Sequence, residues 1–249
     1  MGPASLSLFR FLKSRAGPAS DGKPYGERVR LRLKSFECEL VKGWLHEPEI
    51  PAGGGIALTH GAGSNCEAPL IKAMAETLAA TGLCVLRFDL PYRQERPHGP
   101  PFPAQAARDR DGLRQAAKAL RGLVTGRVFL GGHSYGGRQA SMLAAEDPSV
   151  ADALLLLSYP LHPPRKPQQL RVSHFPNLRT PSLFVHGTRD PFGSIEELRQ
   201  ALDNIPARTE LMSVEGAPHG LPPSIAAVAA ARFREFVRAG EPPSEPAAR

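Results

Sequence analysis

Three polar residues of types that can act together in catalysis each follow a short apolar segment of the chain. These residues are Ser134, Asp190 and His219. A serine hydroxyl is a weak nucleophile, and it needs a base such as a histidine ring within hydrogen-bonding reach. A carboxylate next to the imidazole fixes the tautomer and stabilises the cation that forms. The three residue types therefore predict nucleophilic catalysis at Ser134, with His219 as the base and Asp190 as its orienting partner.

The residues around Ser134 predict an unusual backbone turn. Gly132, Ser134 and Gly136 form a Gly-x-Ser-x-Gly pattern between an apolar strand-like segment at 128–130 and a helix expected over 138–145. A sharp strand-to-helix turn lifts the serine hydroxyl, and glycines are needed because side chains there would collide with adjacent elements. His133 is expected to be a packing or hydrogen-bonding neighbour rather than a second base.

A reaction of this kind also needs two backbone N–H groups to stabilise a developing oxyanion. One is expected from Tyr135, directly after the serine. The other is expected from the turn Gly61-Ala62-Gly63, with Ala62 favoured. Gly61 and Gly63 would let the backbone approach the substrate closely. His60, just before this turn, is expected to shape the loop through hydrogen bonds.

Each of the three residues also has a simpler structural explanation. Ser134 could be an ordinary turn serine, and Asp190 could cap the helix that follows it. His219 could belong to a purely structural Pro-His-Gly turn. Their order and their positions after apolar segments favour the catalytic explanation.

The elements that must position these residues alternate along the chain. Short apolar segments typical of buried parallel strands lie at 56–59, 83–88, 128–130, 154–157, 182–185 and 209–214. Helical spacing of apolar residues separates most of them. This alternation predicts an α/β fold, a three-layer sandwich with a mostly parallel sheet and helices on both faces. Ligands bind at the carboxyl ends of such strands, where the candidate residues lie.

The chain length of 249 residues fits one large domain. We expect a flexible N-terminal arm at 1–26, rich in Gly, Pro and basic residues, the domain at 27–240, and a polar tail at 241–249. Alternating residues at 29–34 predict a first strand, and 36–44 a second, paired as an antiparallel hairpin. The short connection at 158–180 leaves no room for a bulky cap.

Composition excludes several other classes. The three cysteines include no CxxC pair and no neighbouring histidine cluster, so a structural zinc site is not expected and a reducing cytoplasm fits. No apolar segment approaches the length of a membrane-spanning helix. The net charge of +7 favours anionic partners. A nucleic-acid role is not expected, because there is no basic base-reading helix and no aromatic stacking platform. A cytoplasmic location is predicted, and the oligomeric state is left open.

The sequence resembles the α/β-hydrolase superfamily from Val29 to Val237. More narrowly, it resembles a branch of small bacterial hydrolases related to a testis-expressed protein and to a subunit of the NSL histone-acetyltransferase complex. The segments that carry this resemblance are His60–Gly63, Leu86–Phe88, Pro91–Arg93, Gly132–Arg138, Tyr159–Pro164, Arg189–Gly193 and His219. Because a hydrolase fold does not prove catalysis, the resemblance implies two alternatives: a serine hydrolase or a non-catalytic interaction module.

Basic residues without nearby acids suggest a second feature. From Ala153 to Arg189 the chain has no Asp or Glu. It carries basic residues there and in the loop after residue 88: Arg93, Arg96, His98, His162, Arg165, Lys166, Arg171, His174 and Arg179. We predict a basic rim that favours a carboxylate or phosphate on the substrate, with Arg93 and His162 as substrate-binding residues. The alternative is a solvated basic surface. Arg138, one helical turn past Ser134, is expected to pair with Asp89.

These observations together predict a serine hydrolase with an open site. We expect it to cleave small carboxylic esters, including anionic esters or thioesters, through an acyl-enzyme on Ser134. A peptidase would use the same residues. No metal or organic cofactor is required for this chemistry. Cys66, near the glycine turn, is not expected to compete as a nucleophile.

Overall fold

The computed structural model of the protein describes residues 31–240. The predicted arm at 1–26 and the predicted tail at 241–249 lie outside the described residues. Eight strands are described: β1 Leu31–Cys38, β2 Val41–Pro48, β3 Gly55–Thr59, β4 Cys84–Asp89, β5 Val128–His133, β6 Leu154–Leu157, β7 Ser182–Gly187 and β8 Thr209–Val214. Six α-helices accompany them: α1 Pro69–Ala80, α2 Pro91–Glu95, α3 Ala106–Arg121, α4 Tyr135–Glu146, α5 Ile195–Leu202 and α6 Ala226–Arg238.

The strands form one sheet in the order β1-β2-β4-β3-β5-β6-β7-β8. β1 and β2 pair antiparallel, β2 joins β4 antiparallel, and every later pairing is parallel. The order reverses at β3, so the chain builds outward to both sides of this central strand. The carboxyl ends of β3, β5, β7 and β8 therefore lie along one edge of the sheet.

Helices cover both faces of the sheet because the strands are apolar on both faces. In β6, Leu154 and Leu156 pack into one core, which α3, α4 and α5 cover, whereas Leu155 and Leu157 pack into the other core, which α1 and α6 cover. Every residue of β6 is buried. The predicted three-layer α/β architecture with a mostly parallel sheet is confirmed.

Two local predictions need correction. The predicted second strand at 36–44 runs across the hairpin turn, which lies between β1 and β2, where Glu39 adopts a φ of 38°. A left-handed residue ends the strand, because that conformation cannot continue the extended backbone. The proline-rich segment after β4 was expected to be a loop, but it contains α2, with Pro91 in the first turn, where a missing N–H costs nothing.

The connection between β6 and β7 carries one short 3-10 turn, Phe175–Asn177, and no further helix or strand. In the described part of the chain, no large cap therefore covers the carboxyl edge of the sheet, as predicted. Within residues 31–240, no helix combines the length and the apolar character needed to cross a bilayer.

Candidate active site

Ser134 lies in the turn between β5 and α4 with a strained backbone. Its φ of 51° and ψ of −114° are unfavourable for a residue with a Cβ. The turn is held by two hydrogen bonds: Ser134 N donates to the Leu157 carbonyl at 2.8 Å, and Gly136 N donates to the His60 carbonyl at 3.1 Å. The end of β6 and the end of β3 thus fix the serine from both sides.

The two glycines of the pattern are required by close backbone contacts. A Cβ on Gly132 would lie 2.8 Å from Gly136 C and from Gly137 N. A Cβ on Gly136 would lie 2.6 Å from the His60 carbonyl oxygen. These distances explain why the sequence places glycine on each side of Ser134.

Ser134, His219 and Asp190 form a continuous hydrogen-bonded chain. The Ser134 Oγ lies 2.8 Å from Nε2 of His219, and Nδ1 of His219 lies 2.7 Å from Oδ2 of Asp190. The carboxylate cannot donate, so Nδ1 carries the proton and Nε2 accepts from the serine hydroxyl. His219 lies 85 positions after Ser134 and 29 positions after Asp190 in the sequence. The ends of β5, β7 and β8 bring the three residues together.

The Asp190 carboxylate is fixed in place and shielded from water. Its side chain is fully buried, and Oδ1 accepts a hydrogen bond of 2.8 Å from the N–H of Phe192. The helix that follows, α5, is capped by Ser194 and Glu197 in a reciprocal capping box. Asp190 is therefore not the cap of α5, and its second oxygen remains free to accept from His219.

Aromatic and imidazole rings hold His219 from two sides. Nε2 of His133 lies 2.9 Å from the His219 carbonyl oxygen and donates to it. The ring of Phe192 lies over that of His219, with centroids 4.1 Å apart and planes inclined by 31°. Burial lowers the pKa of His133, although its hydrogen bond to the His219 carbonyl acts in the opposite direction, and the lowered pKa favours the neutral form. This position fits the expected role of His133 as a neighbour.

Two backbone N–H groups with no backbone acceptor lie on the same cleft as Ser134. Ala62 and Tyr135 both line this cleft. Across the described ranges, neither Ala62 N nor Tyr135 N donates to a backbone carbonyl. Tyr135 is the first residue of α4, where helical N–H groups lack an intrahelical acceptor. The two groups predicted to bind an oxyanion are thus available beside the serine.

The His60–Gly63 segment is shaped by hydrogen bonds to its carbonyls and rings. His60 Nε2 accepts from the N–H of Leu90 at 3.2 Å, so Nδ1 donates to the Gly61 carbonyl at 2.9 Å. The hydroxyl of Tyr92 lies 3.0 Å from the Ala62 carbonyl. Burial lowers the pKa of His60 to about 4, so its ring is neutral. His60 has the structural position that its sequence context predicts.

Arg93 lies beneath this segment rather than in the cleft. It is buried, and its guanidinium donates to four backbone carbonyls, those of Ala62, Ser64, Arg96 and Gly99. Arg93 is therefore not among the residues that line the cleft, and its role in substrate binding stays a prediction. The hydrogen bonds of its guanidinium fix the loop that carries Ala62.

His162 also lies outside the residues that line the cleft. It is buried, its Nδ1 donates to the Pro163 carbonyl at 2.8 Å, and its Nε2 lies 3.5 Å from Oε2 of Glu197. His162 thus faces the first turn of α5. The structure brings together Ser134, His219, Asp190, Ala62 and Tyr135, and places Arg93 and His162 apart from them.

The cleft beside Ser134 has a volume of about 530 Å³ and mostly apolar walls. The apolar side chains that line it include Phe102, Met142, Pro160 and Phe192, and the basic ones are Arg138 and Arg171. The predicted pairing of Arg138 with Asp89 is wrong. Asp89 Oδ1 accepts from the N–H of Cys66 at 2.6 Å, and Arg138 points into the cleft because α4 begins immediately after Ser134.

Most other residues of the predicted basic rim do not line the cleft beside Ser134. Arg165, Lys166 and Arg179 are exposed and do not line the cleft. Arg96 donates to the Pro100 carbonyl and stacks on Phe102 at 4.0 Å, so it supports one wall of the cleft. Cys66 is buried, and burial together with Asp89 raises the pKa of its thiol to about 12, which excludes it as a thiolate nucleophile at neutral pH.

Two contributions to the site had no sequence prediction. Asp109, in the first turn of α3, accepts a hydrogen bond of 2.7 Å from the hydroxyl of Tyr135. Phe192 stacks on His219 and lines the cleft. Asp109 had no local signal, because it is flanked by charged residues typical of an exposed helix face. Phe192 lies two residues after Asp190, so proximity alone could have marked it.

With the sheet order and the Ser–His–Asp geometry established, residues 54–231 match the alpha/beta hydrolase domain family. The match covers more than half of the chain, and the protein belongs to this family. The fold is accordingly the α/β-hydrolase fold.

Solved structures share the same fold at low sequence identity. The protein TT1662 from Thermus thermophilus is 23% identical, with a TM-score of 0.68 over 84% of this chain and 99% of its own. A dienelactone hydrolase from Anabaena variabilis is 22% identical, with a TM-score of 0.64 over 86% of this chain and 99% of its own. Est1E from Butyrivibrio proteoclasticus, solved with ferulic acid bound, is 20% identical, with a TM-score of 0.65 over 83% and 99%.

Proposed function

We propose that the protein is a serine hydrolase that cleaves carboxylic esters through an acyl-enzyme on Ser134. The observation that carries the proposal is the hydrogen-bonded chain from Ser134 Oγ through His219 to Asp190, at 2.8 and 2.7 Å. Membership of the alpha/beta hydrolase domain family supports a hydrolase, and an esterase from Pyrococcus furiosus and a dienelactone hydrolase share the fold. The narrower resemblance to a bacterial branch stays a prediction, as does the cytoplasmic location.

The mechanism follows from the direction of these hydrogen bonds. Ser134 Oγ attacks the ester carbonyl carbon while its proton passes to Nε2 of His219, and Asp190 stabilises the resulting imidazolium. The N–H groups of Ala62 and Tyr135 stabilise the oxyanion, each worth about 10²- to 10³-fold in rate. His219 then protonates the leaving alkoxide. Water attacks the acyl-enzyme after giving its proton to His219, and the acid leaves as Ser134 regains the proton.

Labelling with a fluorophosphonate probe tests the activated serine directly. The native protein should label, and Ser134→Ala and His219→Ala should not. Ser173→Ala is the matched control, because Ser173 is exposed and outside the cleft, and it should label as the native protein does. Absence of labelling in folded native protein would favour the alternative, an interaction module that retains these residues without using them.

Hydrolysis of matched substrates then separates the bond types. Initial rates on 4-nitrophenyl butyrate, the corresponding thioester and the 4-nitroanilide should rank the ester or thioester well above the amide. The reason is that an amide carbonyl is less electrophilic than an ester or thioester carbonyl, and an amine is a poorer leaving group than an alkoxide or a thiolate. A dominant rate on the amide would overturn the ester proposal while leaving Ser134 as the nucleophile.

A further inference from the structure

Two arginines line the Ser134 cleft without acidic residues beside them. Arg138 comes from the first turns of α4, and Arg171 comes from the connection between β6 and β7. None of the residues that line the cleft is Asp or Glu, and Asp190 is fully buried behind His219. The charged side chains that line the cleft are therefore both cations, and the walls are otherwise mostly apolar.

Neither guanidinium pairs with a carboxylate of residues 31–240. Among the ion pairs of residues 31–240, Arg138 and Arg171 do not appear, whereas the half-buried Arg110 pairs with Glu146 and the buried Arg87 with Glu67. The Nε of Arg138 is buried and has no hydrogen-bond partner among the described residues. Buried polar atoms are normally satisfied, so the Arg138 guanidinium retains an unused donor.

The backbones that carry the two arginines are fixed in place. Arg171 N donates to the Leu161 carbonyl at 2.8 Å, and the Arg171 carbonyl accepts from the hydroxyl of Tyr159 at 2.7 Å. The Arg138 carbonyl accepts from Ser141 Oγ at 2.9 Å, and Ser141 in turn accepts from His174 at 2.8 Å. Fixing these backbones removes part of the ordering cost that binding of an anion would otherwise carry.

The positive charges of Arg138 and Arg171 also repel each other. Burial and the neighbouring Arg138 lower the pKa of Arg171. Burial and Arg138 likewise lower the pKa of His174 to about 4, so His174 adds no positive charge at neutral pH. Two like charges in a partly desolvated cleft are unfavourable without a counter-charge, and an anionic ligand would remove that cost.

We propose that Arg138 and Arg171 bind an anionic group, a carboxylate or a phosphate, on the substrate whose ester Ser134 cleaves. Guanidinium groups suit both anions because they can donate two parallel hydrogen bonds. The apolar residues Phe102, Met142 and Phe192 would contact the carbon chain between the anion and the ester. This inference rests on the proposed function for its substrate but not for its binding site. The proposed anion site consists of two residues, whereas the basic rim predicted from the sequence was broad.

Kinetics on a matched pair of esters provide the first test. Mono-4-nitrophenyl glutarate and 4-nitrophenyl pentanoate have acyl chains of equal length and differ in a terminal carboxylate. We expect kcat/KM to be at least tenfold higher for the glutarate ester at low salt, with most of the difference in KM. Added NaCl should reduce this preference, because salt screens partly exposed charges.

Variants assign the preference to the two arginines. Arg138→Gln and Arg171→Gln should each reduce the glutarate-to-pentanoate ratio of kcat/KM by tenfold or more. The matched control is Arg165→Gln, because Arg165 is exposed and does not line the cleft, and its ratio should match that of the native protein. Equal losses on both esters, or an absence of preference in the native protein, would overturn the anion site.

Binding to Ser134→Ala separates the two proposals. Calorimetric titration with glutarate and with inorganic phosphate should show binding of at least one anion, and the stronger of the two identifies the preferred chemistry. The double variant Ser134→Ala/Arg171→Gln should bind at least tenfold more weakly. Anion binding without fluorophosphonate labelling would overturn the hydrolase and support the anion site. Labelling without anion binding or ester preference would support the hydrolase and overturn the anion site.

Discussion

The hydroxyl of Tyr135 donates a 2.7 Å hydrogen bond to Oδ2 of Asp109, which is fully buried in α3. The other oxygen of Asp109 accepts from the N–H of Tyr92 at 3.0 Å, and the hydroxyl of Tyr92 holds the carbonyls of Gly61 and Ala62. One buried carboxylate thus connects the supports of both proposed oxyanion donors, Ala62 and Tyr135. Their relative positions depend on α3, a helix that contributes no residue to the Ser–His–Asp chain.

Removing the Tyr135 hydroxyl should therefore destabilise the fold and slow catalysis. Tyr135→Phe leaves a buried carboxylate short of one donor, and hydrogen bonds to charged groups contribute about 1.5–3 kcal/mol. We expect a loss of that size in the free energy of unfolding, measured by urea denaturation, and a several-fold lower kcat. Tyr92→Phe is the matched control: it removes bonds to neutral carbonyls only, so its stability loss should be about 1 kcal/mol. Equal losses in the two variants would contradict this role for Asp109.

Asp190→Asn should nearly abolish turnover by reversing the histidine tautomer. Because Oδ1 of Asp190 accepts from the N–H of Phe192, the amide oxygen of the variant would keep that bond and its NH₂ would face His219. Nδ1 would then have to accept, Nε2 would carry the proton, and Ser134 would lose its base. We expect kcat on 4-nitrophenyl acetate to fall about 10⁴-fold.

Asp203→Asn is the control, because it makes the same chemical change at an exposed residue at the end of α5. It should leave kcat unaltered. A rate for Asp190→Asn within tenfold of the native rate would mean that Asp190 does not control the tautomer.

The strands and the Ser–His–Asp chain could be predicted because their signals are local. A strand buried on both faces, such as β6, has an uninterrupted apolar segment in the sequence. Residues just after such strands must meet at the carboxyl edge of a parallel sheet. The positions of Ser134, Asp190 and His219 follow from these two facts and do not require knowledge of side-chain packing.

The directions of the arginines could not be predicted, because they depend on tertiary contacts. Arg93 and Arg171 both lie in polar, proline-containing connections at the same edge of the sheet. Arg93 bonds to backbone carbonyls that only the folded loop presents, whereas Arg171 lines the cleft. Neither connection has the regular apolar spacing of a long helix or a strand, so the sequence pattern gives no direction for either arginine side chain. Likewise, burial of Asp109 depends on how α3 meets Tyr92 and Tyr135.

Replacing Arg93 should affect the rate of the chemical step more than substrate binding. Arg93→Lys keeps the charge but loses the planar fork that reaches the carbonyls of Ser64 and Ala62. Displacement of the Ala62 N–H would weaken oxyanion stabilisation, so we expect kcat to fall about 10- to 100-fold with a KM within threefold of native. A raised KM for an anionic ester at unchanged kcat would instead support the substrate-binding role that the sequence suggested.

Stability should fall as the pH drops below about 6.5, because several histidines are buried in the neutral form. Burial is the main cause that lowers the pKa of His46, His60 and His174 to about 4. Between pH 6.5 and 4 the unfolded chain binds protons that the folded chain does not, so the free energy of unfolding decreases as pH falls. Each histidine contributes up to about 1.4 kcal/mol per pH unit within this window.

His174→Gln tests this linkage at one residue. Glutamine can still donate to Ser141 Oγ, as His174 does, but it does not titrate. We expect the free energy of unfolding of the variant, measured by urea denaturation between pH 7.5 and 5, to change less with pH than that of the native protein. The difference in slope should be at most the contribution of one proton. Parallel profiles for the two proteins would show that the pKa of His174 is not lowered in the folded state.

Glycine at position 136 should tolerate no side chain, in contrast to glycine at position 63. A Cβ at Gly136 would lie 2.6 Å from the His60 carbonyl oxygen and 2.6 Å from Cγ2 of Thr59, whereas a Cβ at Gly63 would meet nothing within 4 Å. Because the first clash involves backbone at the end of β3, relief requires that β3 and α4 move apart, and overpacking of this kind costs about 1–3 kcal/mol or more. Gly136→Ala should lower the urea midpoint and abolish fluorophosphonate labelling, while Gly63→Ala should preserve both. Labelling of Gly136→Ala at the native rate would show that the turn around Ser134 can relax without loss of the nucleophile geometry.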